Sequence, residues 1–221
     1  MEYNIVRSSR KSIVINISDD GEVIVKAPLK TSKKIIDKVV SDNNNWINKQ
    51  LIKRNEIINS YDYIKTGKIL YYGEYVNICF ITSNLKPKIS YDVEKGFVVE
   101  SCGEKEEIKN IVEGFYKKEA RICLQARTIY WSNVIGVRYN KISIRKQKTR
   151  WGSCSSKGNL SYNLKLICAP IEMIDYVVLH EVMHLRHFNH GNTFWRELEE
   201  YMPDYKQRSK YFDKYGQNFI I

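Results

Sequence analysis

The sequence predicts an α+β protein: N-terminal β-hairpins plus one helix, then a helix bearing a reactive motif packed on a small sheet, then a C-terminal helical pair. Three observations predict it. Short β-rich runs broken by glycine fill most of the chain before residue 104. A long helical pattern covers about 104–133. A strongly apolar helical stretch then leads into HEVMHLRHFNH, which contains all four histidines of the chain.

The elements follow in order. Residues 12–17 (SIVINI) and 22–26 (EVIVK) read as strands joined by Ser18-Asp19-Asp20-Gly21. Thr31-Ser32 can cap a helix from about 33 to 58, with Ile35, Ile36, Val39, Val40, Trp46, Ile47, Leu51 and Ile58 at helical spacing. ILYYGEYVNICFIT (69–82) breaks at Gly73-Glu74, and KISYDVEKGFVVE (88–100) breaks at Glu94-Lys95-Gly96, so both read as hairpins. The helix at 104–133 turns Ile108, Ile111, Val112, Phe115, Ile122, Cys123, Ala126, Ile129 and Tyr130 inward. KISIRK (141–146) and LSYNLKLI (160–167) read as strands on either side of a loop around KTRWGSCSSKGN. Pro170 suits the first turn of a buried helix through IEMIDYVVLHEVMHL. Pro203 separates the closing helices at about 192–201 and 204–215. The pattern sets an N-terminal region at 1–103 and a second domain at 104–221.

Composition narrows the class. A chain of 221 residues, 43% hydrophobic and 28% charged, can bury a substantial core. No window approaches the roughly twenty apolar residues of a membrane span. The N-terminus lacks an apolar signal core, so the expected location is the cytoplasm. Five widely spaced cysteines with no CxxC argue for reduced thiols. The net charge of +11 admits a nucleic-acid partner. The lysines are spread along a chain rich in Lys, Asn, Ile and Tyr, however, and composition bias accounts for the charge more simply. No feature speaks to oligomeric state.

The histidines carry the chemistry. His180 and His184 are four apart, so on a helix they leave the same face one turn apart. Two such imidazoles can reach one zinc ion at about 2.0–2.1 Å. Glu181 lies beside the first and can reach a metal-bound water. This is the H-E-x-x-H arrangement of zinc peptidases. A catalytic zinc takes three protein ligands and an open position. His190 is the main candidate for the third, provided the helix ends between it and His184, with Asn189 or Gly191 making a left-handed turn. Glu197, Glu199 and Glu200 are alternatives on a later helix, and His187 reads as a supporting or surface residue. Arg150, Trp151 and Tyr201 are candidates for the cleft. Arg150, Tyr201 and Tyr205 are candidate donors to an oxyanion.

The run KTRWGSCSSKGNLSYNLKLICAPIEMIDYVVLHEVMHLRHFNHGNTFWRELEEYMPDYKQR resembles the YgjP-like metallopeptidases, relatives of the SprT and WLM peptidases. RSSRKSIVINISDDGEVIVKAP and the helix with Trp46-Ile47 resemble the same family's N-terminal part. The resemblance implies a zincin-like core over 104–221, Zn2+ held by His180, His184 and His190, and a catalytic Glu181. Val182-Met183 and Asn163-Leu164 depart from the family's common pattern without touching a ligand. The expected activity is zinc-dependent hydrolysis of peptide bonds in a peptide or protein substrate. Hydrolysis of a non-peptide amide and an SprT-like protease or binding protein associated with DNA are the alternatives.

Overall fold

The computed structural model describes every residue except 19, 20, 61, 148, 149, 220 and 221. It divides into two compact units, residues 1–65 and 66–221. The boundary expected between 103 and 104 falls inside the second unit.

The first unit holds strands β1 (Asn4–Ser8), β2 (Val14–Ile17) and β3 (Val23–Pro28), with β3 in the middle. β2 and β3 form the expected antiparallel hairpin, and Asp19 and Asp20 of its turn lie outside the described residues. β1 joins β3 in parallel. Helix 33–58 is in fact two helices, α1 (Lys33–Asp42) and α2 (Asn44–Ser60). They break at Asn43, whose side-chain amide donates to the Val39 carbonyl at 2.8 Å and competes with the helical ladder. Ser32 caps α1 as expected. Val23, Val25, Ala27, Ile36, Val40 and Ile47 form the core. One turn of helix, α3 (Tyr63–Thr66), follows.

The second unit begins with a four-stranded sheet in the order β4-β5-β7-β6, built from β4 (Lys68–Tyr71), β5 (Glu74–Thr82), β6 (Lys88–Asp92) and β7 (Gly96–Ser101). The two expected hairpins, β4–β5 and β6–β7, are joined by parallel pairing of β5 with β7. The first turn is at Tyr72-Gly73, both with positive φ. Its amides donate to the carbonyls of Ile167 and Cys168 at 2.9 and 3.0 Å. A Cβ on Gly73 would lie 2.6 Å from the Pro170 ring. These links bind the hairpin to the chain just ahead of the histidine helix, which is why residues 66–103 belong to this unit.

Helix α4 (Lys105–Ile135) buries Ile108, Val112, Tyr116, Cys123, Leu124, Thr128 and Trp131. A three-stranded sheet follows, in the order β8-β10-β9, from β8 (Lys141–Arg145), β9 (Gly152–Cys154) and β10 (Asn159–Asn163). The strand expected over 160–167 stops at Asn163, and Leu164–Cys168 form a 3-10 turn. Asn163 makes the change: its side-chain oxygen accepts from the Lys165 amide at 3.1 Å and caps that turn. β10 lies between β8 and β9, so the strand on the site side of this sheet is β9, within a segment expected to be loop.

Helix α5 (Ile171–Met183) follows, buried along most of its length, then α6 (Asn192–Tyr201) and α7 (Tyr205–Tyr215). Asp175 on α5 takes both Nε and Nη2 of Arg127 on α4, at 2.5 and 2.6 Å, and the Trp131 indole N–H at 3.1 Å. No helix among the described residues is long and apolar enough to cross a membrane.

Candidate metal centre and active site

α5 brings His180 and His184 to one face, as four-residue spacing requires. The helix ends just after them. Leu185, Arg186 and His187 donate to Val182 and Met183 carbonyls in tightened turns, and the chain then leaves the axis. The break falls earlier than expected and needs no left-handed residue. Neither Asn189 nor Gly191 has positive φ. Gly191 has φ −70° as the residue before α6, and the Asn189 side chain accepts its amide at 3.2 Å.

This path returns His190 to the pair. Its Nε2 lies 2.9 Å from Nε2 of His180 and 3.1 Å from Nε2 of His184. Ligand atoms around a tetrahedral zinc at about 2.0–2.1 Å stand about 3.3 Å apart, close to what is observed. Burial and the two neighbouring imidazoles push the His180 pKa down to about 3, and His190 is lowered by burial and His184. Both shifts favour the neutral imidazole of His180 and His190, the form that binds a cation.

The tautomers fit the same purpose. His184 Nδ1 donates to the His187 carbonyl at 2.9 Å, which leaves the Nε2 lone pair facing the other rings. His180 Nδ1 is buried with no hydrogen-bond partner among the described residues. Phe194 is fully buried beneath the triad, its ring 4.8 to 5.1 Å from the three imidazole centroids. Trp195 stacks on His190 at 5.4 Å and on Tyr205 at 5.4 Å. Phe194 and Trp195 therefore pack on the histidine rings.

The other candidate ligands lie elsewhere. Glu197 meets Arg186 and His187, the latter through Nε2 at 2.5 Å. Against the upward push of burial, these two partners hold its carboxyl below the ordinary range. Glu199 faces Lys206 at 3.6 Å, and Glu200 is exposed.

Glu181 points from α5 into a cleft of about 270 Å³ walled by Trp151, Tyr176 and Phe212 and rimmed by Arg150, Ser209 and Asp213. It is 6% exposed, and burial pushes its carboxyl up to about 7 while the charge of Arg150 draws it down. A Cβ at Gly152 would sit 2.5 Å from Glu181 Cγ and 2.7 Å from Oε1, so β9 must carry glycine there. The strand is aligned from below by Asn163, whose side-chain amide donates to the Gln147 and Arg150 carbonyls at 2.9 Å, and whose backbone amide donates to the Trp151 carbonyl at 2.8 Å.

Of the proposed cleft residues, Arg150 and Trp151 line this space and Tyr201, at the end of α6, does not. Trp151 faces the cleft and also packs on Phe212 and Phe219 at 4.9 and 5.7 Å. Tyr176 and the α7 residues Ser209, Phe212 and Asp213 were not anticipated. Tyr176 lies one turn before His180, a spacing that could have flagged it. The α7 side chains reach the site through tertiary packing that no local pattern encodes. Cys154 is a free thiol that burial pushes up to about 11, with Glu181 adding to the shift, and it is not part of the histidine cluster.

Three converging imidazoles on and after an H-E-x-x-H helix, with a carboxylate buried beside them, define the metallopeptidase class of hydrolases. The chain belongs to the YgjP-like family: the family model described as "YgjP-like, metallopeptidase domain" matches residues 11–215. Two solved structures are similar over part of it. The metallopeptidase zymogen of Pyrococcus abyssi abylysin is 21% identical, with a TM-score of 0.39, over 44% of this chain and 99% of that one. The metallopeptidase zymogen of Methanocaldococcus jannaschii jannalysin is 21% identical, with a TM-score of 0.38, over 41% and 88%. No curated protein matches the chain.

Proposed function

We propose that the chain is a zinc-dependent peptidase with a zincin-like core, His180, His184 and His190 as the ligands and Glu181 as the general base. The observation that carries this reading is the meeting of three Nε2 atoms, 2.9 and 3.1 Å apart, beside a buried carboxylate that opens into a cleft. When bound, zinc supplies a polarised carbonyl and a water acidic enough to lose its proton near neutral pH.

The chain's own residues do the rest. Glu181 accepts the proton of the attacking water and delivers it to the leaving amine nitrogen. Burial raises its proton affinity, which favours taking the proton from water. Of the three donors considered for the oxyanion, Arg150 lines the cleft and is the one assigned here. β9 pairs with β10 on one side and packs against α5, and no strand among the described residues pairs with its other edge. A substrate strand is held along that edge; β10 has neighbours on both sides and cannot take this role. The side chain next to the scissile bond enters the space between Trp151, Tyr176 and Phe212. The five free cysteines suit the reducing cytoplasm.

The test is peptide cleavage by Glu181→Gln. The amide keeps the shape of the side chain and cannot take the proton, so cleavage falls by about 10²–10⁴-fold while one zinc per chain remains bound. Wild-type cleavage by that variant removes Glu181 from the mechanism.

A further inference from the structure

The fourth histidine is used twice. Its backbone carbonyl accepts the Nδ1 proton of His184 at 2.9 Å, and its ring Nε2 meets Glu197 Oε2 at 2.5 Å. The other carboxylate oxygen of Glu197 takes the Arg186 guanidinium, and a second nitrogen of that guanidinium donates to the carbonyl of Ile135 at the end of α4. One carboxylate on α6 thus grips two consecutive residues of the segment that runs from His184 to His190. The same helix carries Phe194 under the three rings and Trp195 against His190. The Glu197 side chain is 18% exposed, so the grip is largely shielded from water.

We propose that Glu197 is a positioning residue of the metal centre: by clamping Arg186 and His187 it holds the carbonyl that orients His184 and sets the turn that returns His190. It touches neither the ligand atoms nor the cleft. It acts through the loop, much as hydrogen-bond partners behind a ligand govern its orientation and the affinity of the site. The inference rests on the zinc-peptidase reading above and adds a residue to it.

The experiment is zinc affinity, measured by competition with a chromophoric chelator, for wild type, Glu197→Ala, Glu197→Gln, His187→Ala and the Glu197→Ala/His187→Ala double variant. Circular dichroism and the melting temperature of each metal-free protein accompany it. Glu197→Ala is expected to bind one zinc about 10–100-fold more weakly, with the metal-free fold retained. Glu197→Gln, which keeps a hydrogen bond and loses the charge, falls between it and wild type. His187→Ala weakens binding, and the double variant is no weaker than the worse single one, because both changes cut one link. The cobalt-loaded Glu197→Ala protein shows an altered visible spectrum. Wild-type affinity in Glu197→Ala overturns the inference and leaves the peptidase reading standing. A wild-type protein that binds no zinc overturns both.

Discussion

At the scale of single residues, the H-E-x-x-H pair was legible from spacing alone, because helical geometry leaves little freedom at four residues. His190 was legible on one condition, that the helix end in time. The helix does end, by tightened turns after His184 and not by a left-handed residue. The reason is tertiary: Glu197 and Ile135 hold Arg186 from outside the segment. Gly152 shows what sequence could not convey. This glycine makes room for Glu181. Gly152→Ala should therefore lower peptide cleavage at least about 10-fold by displacing the base, an effect of the size a 1 Å misplacement can produce. Zinc content should stay at the wild-type level. A steady-state assay beside elemental analysis checks both.

At the scale of elements, the hairpins formed where local periodicity placed them, while the helix expected over 33–58 broke at Asn43, and Ile122, Ile129 and Tyr130, expected inward on α4, are exposed. The parallel pairings β5–β7 and β8–β10 did not show, since their partners are far apart in sequence. The strand expected over 160–167 has the alternation of a β-run, yet Asn163 stops it by capping the next turn and fastening the Arg150–Trp151 backbone. α5 is positioned from the other side by α4. Asp175 is 13% exposed at its side chain and holds two nitrogens of Arg127 and one of Trp131. Asp175→Ala leaves a half-buried guanidinium and an indole N–H without their acceptor, and should cost about 2–3 kcal/mol of stability. Asp175→Asn, which can still accept from Trp131, should cost less. Urea unfolding of the metal-free variants measures the difference.

At the scale of the whole molecule, the chain is two units of unequal size, and the described site lies in the larger one, residues 66–221. The α+β class was legible in the sequence. The division was not, because the hairpins at 68–101 look like a continuation of the first ones and belong instead with the chain ahead of α5. The metallopeptidase class joins a motif legible in eleven residues to a family match across 11–215. The central claim is that one zinc is held by three histidines, two on α5 and one beyond it. Elemental analysis of the purified wild-type, His190→Ala and His187→Ala proteins tests it most directly. The account predicts about one zinc per chain in wild type and in zinc-saturated His187→Ala, and loss of zinc in His190→Ala, consistent with three protein ligands for a catalytic site. Full zinc in His190→Ala, or none in wild type, would contradict it.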